Sequence, residues 1–204
     1  MTPEPEKVLS YRQRVINKIN RHFYGESVLD AGCGNGEDTA LLLEYFKTAI
    51  GFDIEENPRW KHLTGNSLKL AADDAENISF PDNSFDTVIE KDMLHHAENP
   101  EKALKEMLRV SKKRVIVLEA NRYNPIFYLH LTLMGNHQHF SQKKFKTLIE
   151  SAGADFEIKH FSARVCPVNI KLFITLLNKF HDLLEKIPPY RPVIEYNLGI
   201  ITKK

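Results

Sequence analysis

The stretch V-L-D-A-G-C-G-N-G, Val28 to Gly36, limits what this chain can fold into more than any other. Ser27, Val28 and Leu29 read as the end of a short buried strand, and E-D-T-A-L-L-L-E-Y-F, Glu37 to Phe46, has helical spacing. A glycine-rich turn therefore joins a strand to a helix. Glycine accepts positive φ and lets the backbone lie directly against a ligand. The unpaired N–H groups at the start of the helix, and its positive dipole end, point at the same place. A nucleotide-like ligand is expected at this turn. Asp30, a carboxylate at the tip of the strand, suits a cationic amino group and would repel a pyrophosphate.

The glycine spacing decides between ligands. A dinucleotide fingerprint reads G-x-G-x-x-G, but three residues past Gly34 stands Glu37, and the third glycine falls one residue early, at Gly36. The pattern is D-x-G-x-G-x-G. In this it resembles the class I S-adenosylmethionine-dependent methyltransferases, specifically the small-molecule group with the methyltransferase type 11 domain, over Val28 to Phe161. The resemblance implies S-adenosyl-L-methionine as cofactor, with Asp30, Ala31, Gly32, Cys33, Gly34 and Gly36 around it.

Along the chain, Val8, Tyr11, Val15, Ile16, Ile19 and Phe23 recur at helical spacing, which predicts a helix from Lys7 to Phe23 laid over the sheet. Ala49 to Asp53 is a second strand. Asp53 lies seventeen residues after Gly36, where an α/β nucleotide fold puts the carboxylate that binds a ribose diol, and Ile54 would then lie against the adenine. Glu55 to Gly65 supports at most a stunted helix, and Leu68 to Asp73 is a third strand. The run from Asp74 to Asp86 resembles the family's link between its third and fourth strands. That resemblance implies that Asp74 accepts from the adenine amino group and that the backbone at Ala75 faces the ring.

Thr87 to Glu90 is a fourth strand, followed by Lys91-Asp92-Met93-Leu94-His95-His96. Ligands in an open α/β sheet bind beyond the carboxyl ends of the strands, so these residues should line the reaction centre. The charged Glu90-Lys91-Asp92 run departs from the small or neutral residues the family commonly has there. Asn99 and Pro100 start a helix ending near Val110. Ser111 to Arg114 are expected to form a loop, and Arg114 to Glu119 a fifth strand. Ser141 caps a further amphipathic helix stopped by Gly153, Phe156 to Phe161 is a sixth strand, and Val193 to Thr202 is the last.

This order predicts an α/β, Rossmann-like, doubly wound seven-stranded sheet, mostly parallel, with helices on both faces. The resemblance adds an antiparallel last strand. The expected organisation is a single domain over 1–204. It comprises an N-terminal helix (1–24), a cofactor-binding core (25–161), substrate-cover insertions at 121–140 and 165–190, and a last strand within 193–204.

Methyl transfer from a sulfonium is an in-line displacement that needs alignment more than a nucleophilic side chain. If the acceptor is a hydroxyl or amine, a general base helps. His96, Glu119 and Lys91 are the candidates, with His95 and Asp92 beside them, and His96 ranks first because imidazole titrates near neutral pH. Lys91 also counts among the cofactor-binding candidates. The apolar segments Pro125–Met134 and Ile170–Leu184 fall where the family builds its substrate cover, so a small, apolar or aromatic acceptor is expected.

No metal is expected: His130 and His137-Gln138-His139 lack cysteine partners and an ordinary zinc spacing, and read as polar insertion surface. With 28 basic and 27 acidic residues, the balance gives no electrostatic warrant for a nucleic-acid partner. No apolar run reaches the roughly 18 residues of a membrane span. Two cysteines, Cys33 and Cys166, fit a reducing, cytoplasmic compartment, and the protein is expected as a monomer or homodimer. Two other classes stay open. A non-catalytic sensor of the cofactor would bind it without turnover, and an NAD(P)-dependent oxidoreductase could use the same sheet and Asp53.

Overall fold

The computed structural model describes residues 10–122, 124, 139–163, 179, 183 and 194–204. Seven strands, β1 (Ser27–Ala31), β2 (Thr48–Asp53), β3 (Leu68–Ala72), β4 (Phe85–Lys91), β5 (Ser111–Ala120), β6 (Asp155–Phe161) and β7 (Tyr196–Thr202), form one sheet in the order β3-β2-β1-β4-β5-β7-β6. β1 to β5 pair in parallel. β7 runs antiparallel between β5 and β6, as expected for the last strand. The strand order reverses between β1 and β4, and their carboxyl ends open a crevice there.

The inner strands are near-continuous apolar runs because both faces are covered. On one face α3 (Pro100–Val110) and α4 (Gln142–Glu150) bring Leu104, Met107, Phe145 and Ile149 onto Leu29, Val88 and Val115. On the other, α1 (Tyr11–Ile19) and α2 (Glu37–Leu42) bring Val15, Ile16, Ile19 and Leu42 onto Val28, Ile116 and Leu118. Each large apolar side chain fully buried in these layers contributes about 1.5–3 kcal/mol. The caps follow the sequence: Ser10 closes a capping box with Gln13, Asn99 and Ser141 accept the Lys102 and Lys144 amides, and Gly153 takes φ 64° after α4. Among the described residues no helix is long and apolar enough to cross a membrane.

Two elements differ from the sequence reading. α2 ends at Leu42 rather than Phe46, because the Leu42 carbonyl takes both the Tyr45 and Phe46 amides in a tightened turn. That turn delivers the Lys47 and Thr48 amides to the Glu26 carbonyl, so Thr48 pairs with Ser27 and β2 starts. The expected loop over Ser111–Arg114 is strand instead. Ser111 is both the C-cap of α3 and the first residue of β5, its Oγ donates to the Arg114 carbonyl at 3.0 Å, and a register irregularity between Phe85 and Thr87 absorbs the sharp entry. The helix expected from Lys7 is helical from Tyr11 and finishes as a 3-10 turn over Asn20–His22. The segment Pro125–Met134 lies outside the described residues, as does Ile170–Leu184 apart from Lys179 and Leu183.

Candidate cofactor and active site

The turn after β1 is tied to the end of β2. The Gly32 and Cys33 amides both donate to the Phe52 carbonyl at 2.8 Å, and the Gly36 amide donates to the Cys33 carbonyl at 2.9 Å. Asp53 closes the turn from the other side: one carboxylate oxygen accepts the Gly34 amide at 2.7 Å and the other its neighbour Ile54 at 2.8 Å. Trp60 Nε1 donates to the Gly34 carbonyl at 2.9 Å. The three glycines have φ of 77°, 54° and 79°, yet they serve different ends. A Cβ on Gly32 would stand 2.4 Å from Met93 and one on Gly36 2.6 Å from Leu70, whereas one on Gly34 would meet nothing within 4 Å. Gly32 and Gly36 are demanded by packing, and Gly34 faces open space.

Beyond the strand ends, with Gly32 in its wall, opens a cavity of about 650 Å³. Seven of the expected site residues line it: Gly32, Asp53, Ile54, Asp74, Ala75, Asp92 and His96. Ile54 is 69% exposed, an apolar side chain held on the rim with little protein over it. The floor beside Asp74 is preformed: Asp73 accepts the Asp74 amide and both the amide and hydroxyl of Ser79, and Asp74 accepts the Glu76 amide. The sequence reading did not assign a site role to Asp73, Glu76 or Glu98, which also line the cavity with Asp92. For Asp73 and Glu76 the signal was their place on either side of Asp74 in one acidic run, while Glu98 follows the His95-His96 pair. Among the described lining residues six are acidic and none is lysine or arginine, so the cavity favours cationic or neutral groups.

Other expected residues stand behind or beside it. Ala31 is fully buried in β1, and Cys33 is buried, its thiol pushed well up by burial and by Asp30. Asp30 accepts the Thr39 hydroxyl at 2.6 Å inside the core, and burial pushes its carboxyl up to about 7 against that bond. Lys91 turns away from His96: its Nζ bonds Asp38 at 2.7 Å, and Arg12 takes the second Asp38 oxygen at 2.8 Å. Burial pushes the Asp38 carboxyl up, but Lys91 and Arg12 more than offset this and hold it low. Lys91 thus joins Tyr11, Arg12 and Glu37 in lining a second, shallower cavity.

Glu119 does not reach the main cavity. It is fully buried, accepting the His95 amide at 3.1 Å and lying 2.7 Å from His95 Nδ1. Burial and then the Asp92 charge hold its carboxyl well above the ordinary range, while burial lowers the His95 imidazole. The ring of His95 stacks on His96 with centroids 4.1 Å apart. His139 is a correction to the sequence reading. Instead of polar surface it is buried, 7% exposed, with its ring centroid 4.4 Å from that of His95. Three segments distant in sequence place His95, Glu119 and His139 together, which spacing could not reveal.

Comparison with known proteins agrees with this geometry. Residues 29–118 match the family model described as a methyltransferase domain, Methyltransf_11. The chain is 38% identical over 104 residues to a 2-methyl-6-phytyl-1,4-hydroquinone methyltransferase of Synechocystis, covering 48% of this chain and 32% of that protein. It is 29% identical over 159 residues to a malonyl-[acyl-carrier protein] O-methyltransferase of Neorickettsia risticii, covering 74% and 61%. The chain therefore spans less than two thirds of either relative. A crystal structure of a SAM-dependent methyltransferase from Archaeoglobus fulgidus superposes with a TM-score of 0.65 at 21% identity, covering 94% of each chain, a likeness of fold. By its glycine turn, its strand order and these matches, the chain is similar to the class I S-adenosylmethionine-dependent methyltransferases: residues 29–118 match their type 11 domain, and the sheet has their fold.

Proposed function

We propose that this protein transfers a methyl group from S-adenosylmethionine to a small-molecule acceptor. The observation that carries the proposal is the acidic cavity at the strand reversal, with Gly32, Asp53 and Asp74 on its wall. Asp53 offers a ribose diol acceptor oxygens, Ile54 offers the adenine an apolar face, and Asp74 accepts from the exocyclic amine. Asp30, with Ala31 and Cys33 beside it, holds the turn in shape from within the core and adds negative charge toward a cationic amino acid moiety. The cofactor supplies an electrophilic methyl on a sulfonium. Holding the acceptor in line with it contributes about 7–11 kcal/mol.

His96 is the base this reading favours, since it lines the cavity while Lys91 is committed to Asp38 and Glu119 lies behind His95. The acidic lining disfavours an acceptor carrying its own carboxylate and suits a neutral one, apolar or aromatic, such as a hydroquinone-type ring. The same reading keeps the chain in a reducing cytoplasm, with Cys33 a buried free thiol. Calorimetric titration with S-adenosylmethionine, its demethylated product and NAD tests the proposal. One-to-one binding of the first two and none of NAD is expected, followed by demethylated product when an acceptor pool is added. Binding of NAD alone would refute it, and cofactor binding without turnover on any acceptor pool would make the chain a sensor.

A further inference from the structure

Behind the cavity wall, the geometry points to a divalent metal site formed by His95, Glu119 and His139, with zinc the ion its donors fit. The three come from the turn after β4, the end of β5 and the segment entering α4, and one ligand atom from each lies within 4.8 Å of the others. All are withdrawn from solvent: the side chains of His95 and Glu119 are 3% and 0% exposed, and His139 is buried.

Two imidazoles and one carboxylate are a donor set zinc takes with its fourth position open, at about 2.0–2.2 Å from each ligand. Ligand atoms around such an ion stand roughly 3.3 Å apart, a spacing close to that of the three donors, which all lie within 4.8 Å of one another. Glu119 already fixes His95 in place, accepting its amide and lying 2.7 Å from Nδ1, so two of the three donors are held side by side.

The surrounding charge argues the same way. Glu90 is buried and Asp92 half-buried near Glu119, and the hydrogen bonds these three acids accept come from backbone amides, the His95 ring and the Tyr196 hydroxyl. Among the described residues no lysine or arginine bonds to any of them, and the nearby Lys91 ammonium is taken by Asp38. A divalent ion at His95, Glu119 and His139 would displace the proton that burial keeps on Glu119 and meet the acids with a positive charge that no described lysine or arginine brings. The ion would pin the segment entering α4 to the ends of β4 and β5, next to His96 on the cavity wall. This site is independent of the cofactor reading, since it shares no residue with the glycine turn.

The test uses the full chain stripped with a chelator and titrated with Zn²⁺ and with Co²⁺. Expected are one equivalent of zinc bound, visible d–d bands of low-symmetry Co²⁺, and a metal-dependent rise in melting temperature. His139→Gln and Glu119→Gln should each weaken zinc binding at least about tenfold, the lower bound for disturbing a metal's ligand environment, and abolish the melting shift. His22→Gln, a substitution outside the cluster, should do neither. Absence of stoichiometric binding by the wild-type chain overturns the site whether or not the variants fold. So does binding that survives both cluster substitutions unchanged.

Discussion

The Asp53 carboxylate accepts the Gly34 amide at 2.7 Å across nineteen residues, locking the turn after β1 to the end of β2. One side chain thus shapes the glycine turn and also lines the cavity proposed to hold the cofactor. Asp53→Ala is expected to lower S-adenosylmethionine affinity by at least about tenfold, the equivalent of about 1.4 kcal/mol, read by calorimetry. Asp53→Asn keeps an acceptor for Gly34 but loses the charge and one acceptor, so its affinity should fall between the two.

Glycine positions 34 and 36 should separate binding from folding. At Gly36 a methyl would meet Leu70 at 2.6 Å with φ at 79°, so Gly36→Ala should destabilise the fold by several kcal/mol. At Gly34 there is room, and only the left-handed backbone costs about 1–2 kcal/mol. Gly34→Ala should therefore stay folded with a modest drop in melting temperature, yet lose cofactor affinity because its methyl occupies ligand space. Equal affinity in a folded Gly34→Ala protein would contradict the ligand's placement against this turn.

Asp30 makes a pH prediction of definite sign. Its folded pKa, about 7, lies above the ordinary carboxylate value, so between the two the folded chain binds more protons than the unfolded one. Its contribution to stability is full below about pH 4 and is lost as pH rises toward 7. Asp30→Asn keeps an acceptor for Thr39 and removes the ionisation. Denaturant unfolding at pH 5 and pH 8 should show the variant's stability relative to wild type improving at the higher pH, by a few kcal/mol at most.

What the sequence could show follows from how local each feature is. The strand, glycine turn and helix around Gly32 to Gly36 and the caps at Asn99 and Ser141 are set by residues a few positions apart, and they lie where the pattern puts them. Asp53, Asp74 and His96 were legible because strand ends in this topology converge on one edge. The direction a side chain takes was not. Lys91 is the last residue of β4 and stands nearer the strand end than His96, but Asp38 on α2 draws its side chain to the other side. His139 looked like surface because its partners, His95 and Glu119, lie 44 and 20 positions away and only tertiary packing brings them near.

A structural clamp near the opposite end of the sheet should show the reverse pH dependence to Asp30. Asp86 accepts the amides of Glu26 and Ser27 and the Ser27 hydroxyl on one oxygen, and Lys112 at 2.9 Å on the other. Burial opposes its ionisation, but these donors together outweigh it and hold the carboxyl far below its usual range. A depressed pKa gives stability that is present above about pH 4 and lost as pH falls below it. Asp86→Ala should cost about 1–3 kcal/mol at pH 7, since the half-buried Ser27 amide and hydroxyl and the Glu26 amide lose a charged acceptor, and the gap from wild type should shrink in acid unfolding curves.

Lys91 offers the sharpest test of which cavity serves the cofactor. Its ammonium lies 2.7 Å from Asp38, with Arg12 completing the cluster, and both Lys91 and Asp38 side chains are about a quarter exposed or less. Such a pair is worth about 1 kcal/mol or somewhat more when partly buried, and Arg12 stays to hold Asp38 after Lys91 is removed. Lys91→Met keeps the aliphatic packing and deletes the charge. If the cavity at Asp53 and Asp74 holds the cofactor, this variant should lose about a kcal/mol of stability while S-adenosylmethionine affinity changes by less than about threefold. A loss comparable to that of Asp53→Ala would place the ligand toward Tyr11, Arg12 and Lys91 and move the reaction centre to the second cavity. Because the two substitutions read the same titration from opposite sides of the glycine turn, their ratio decides the site even before an acceptor is known.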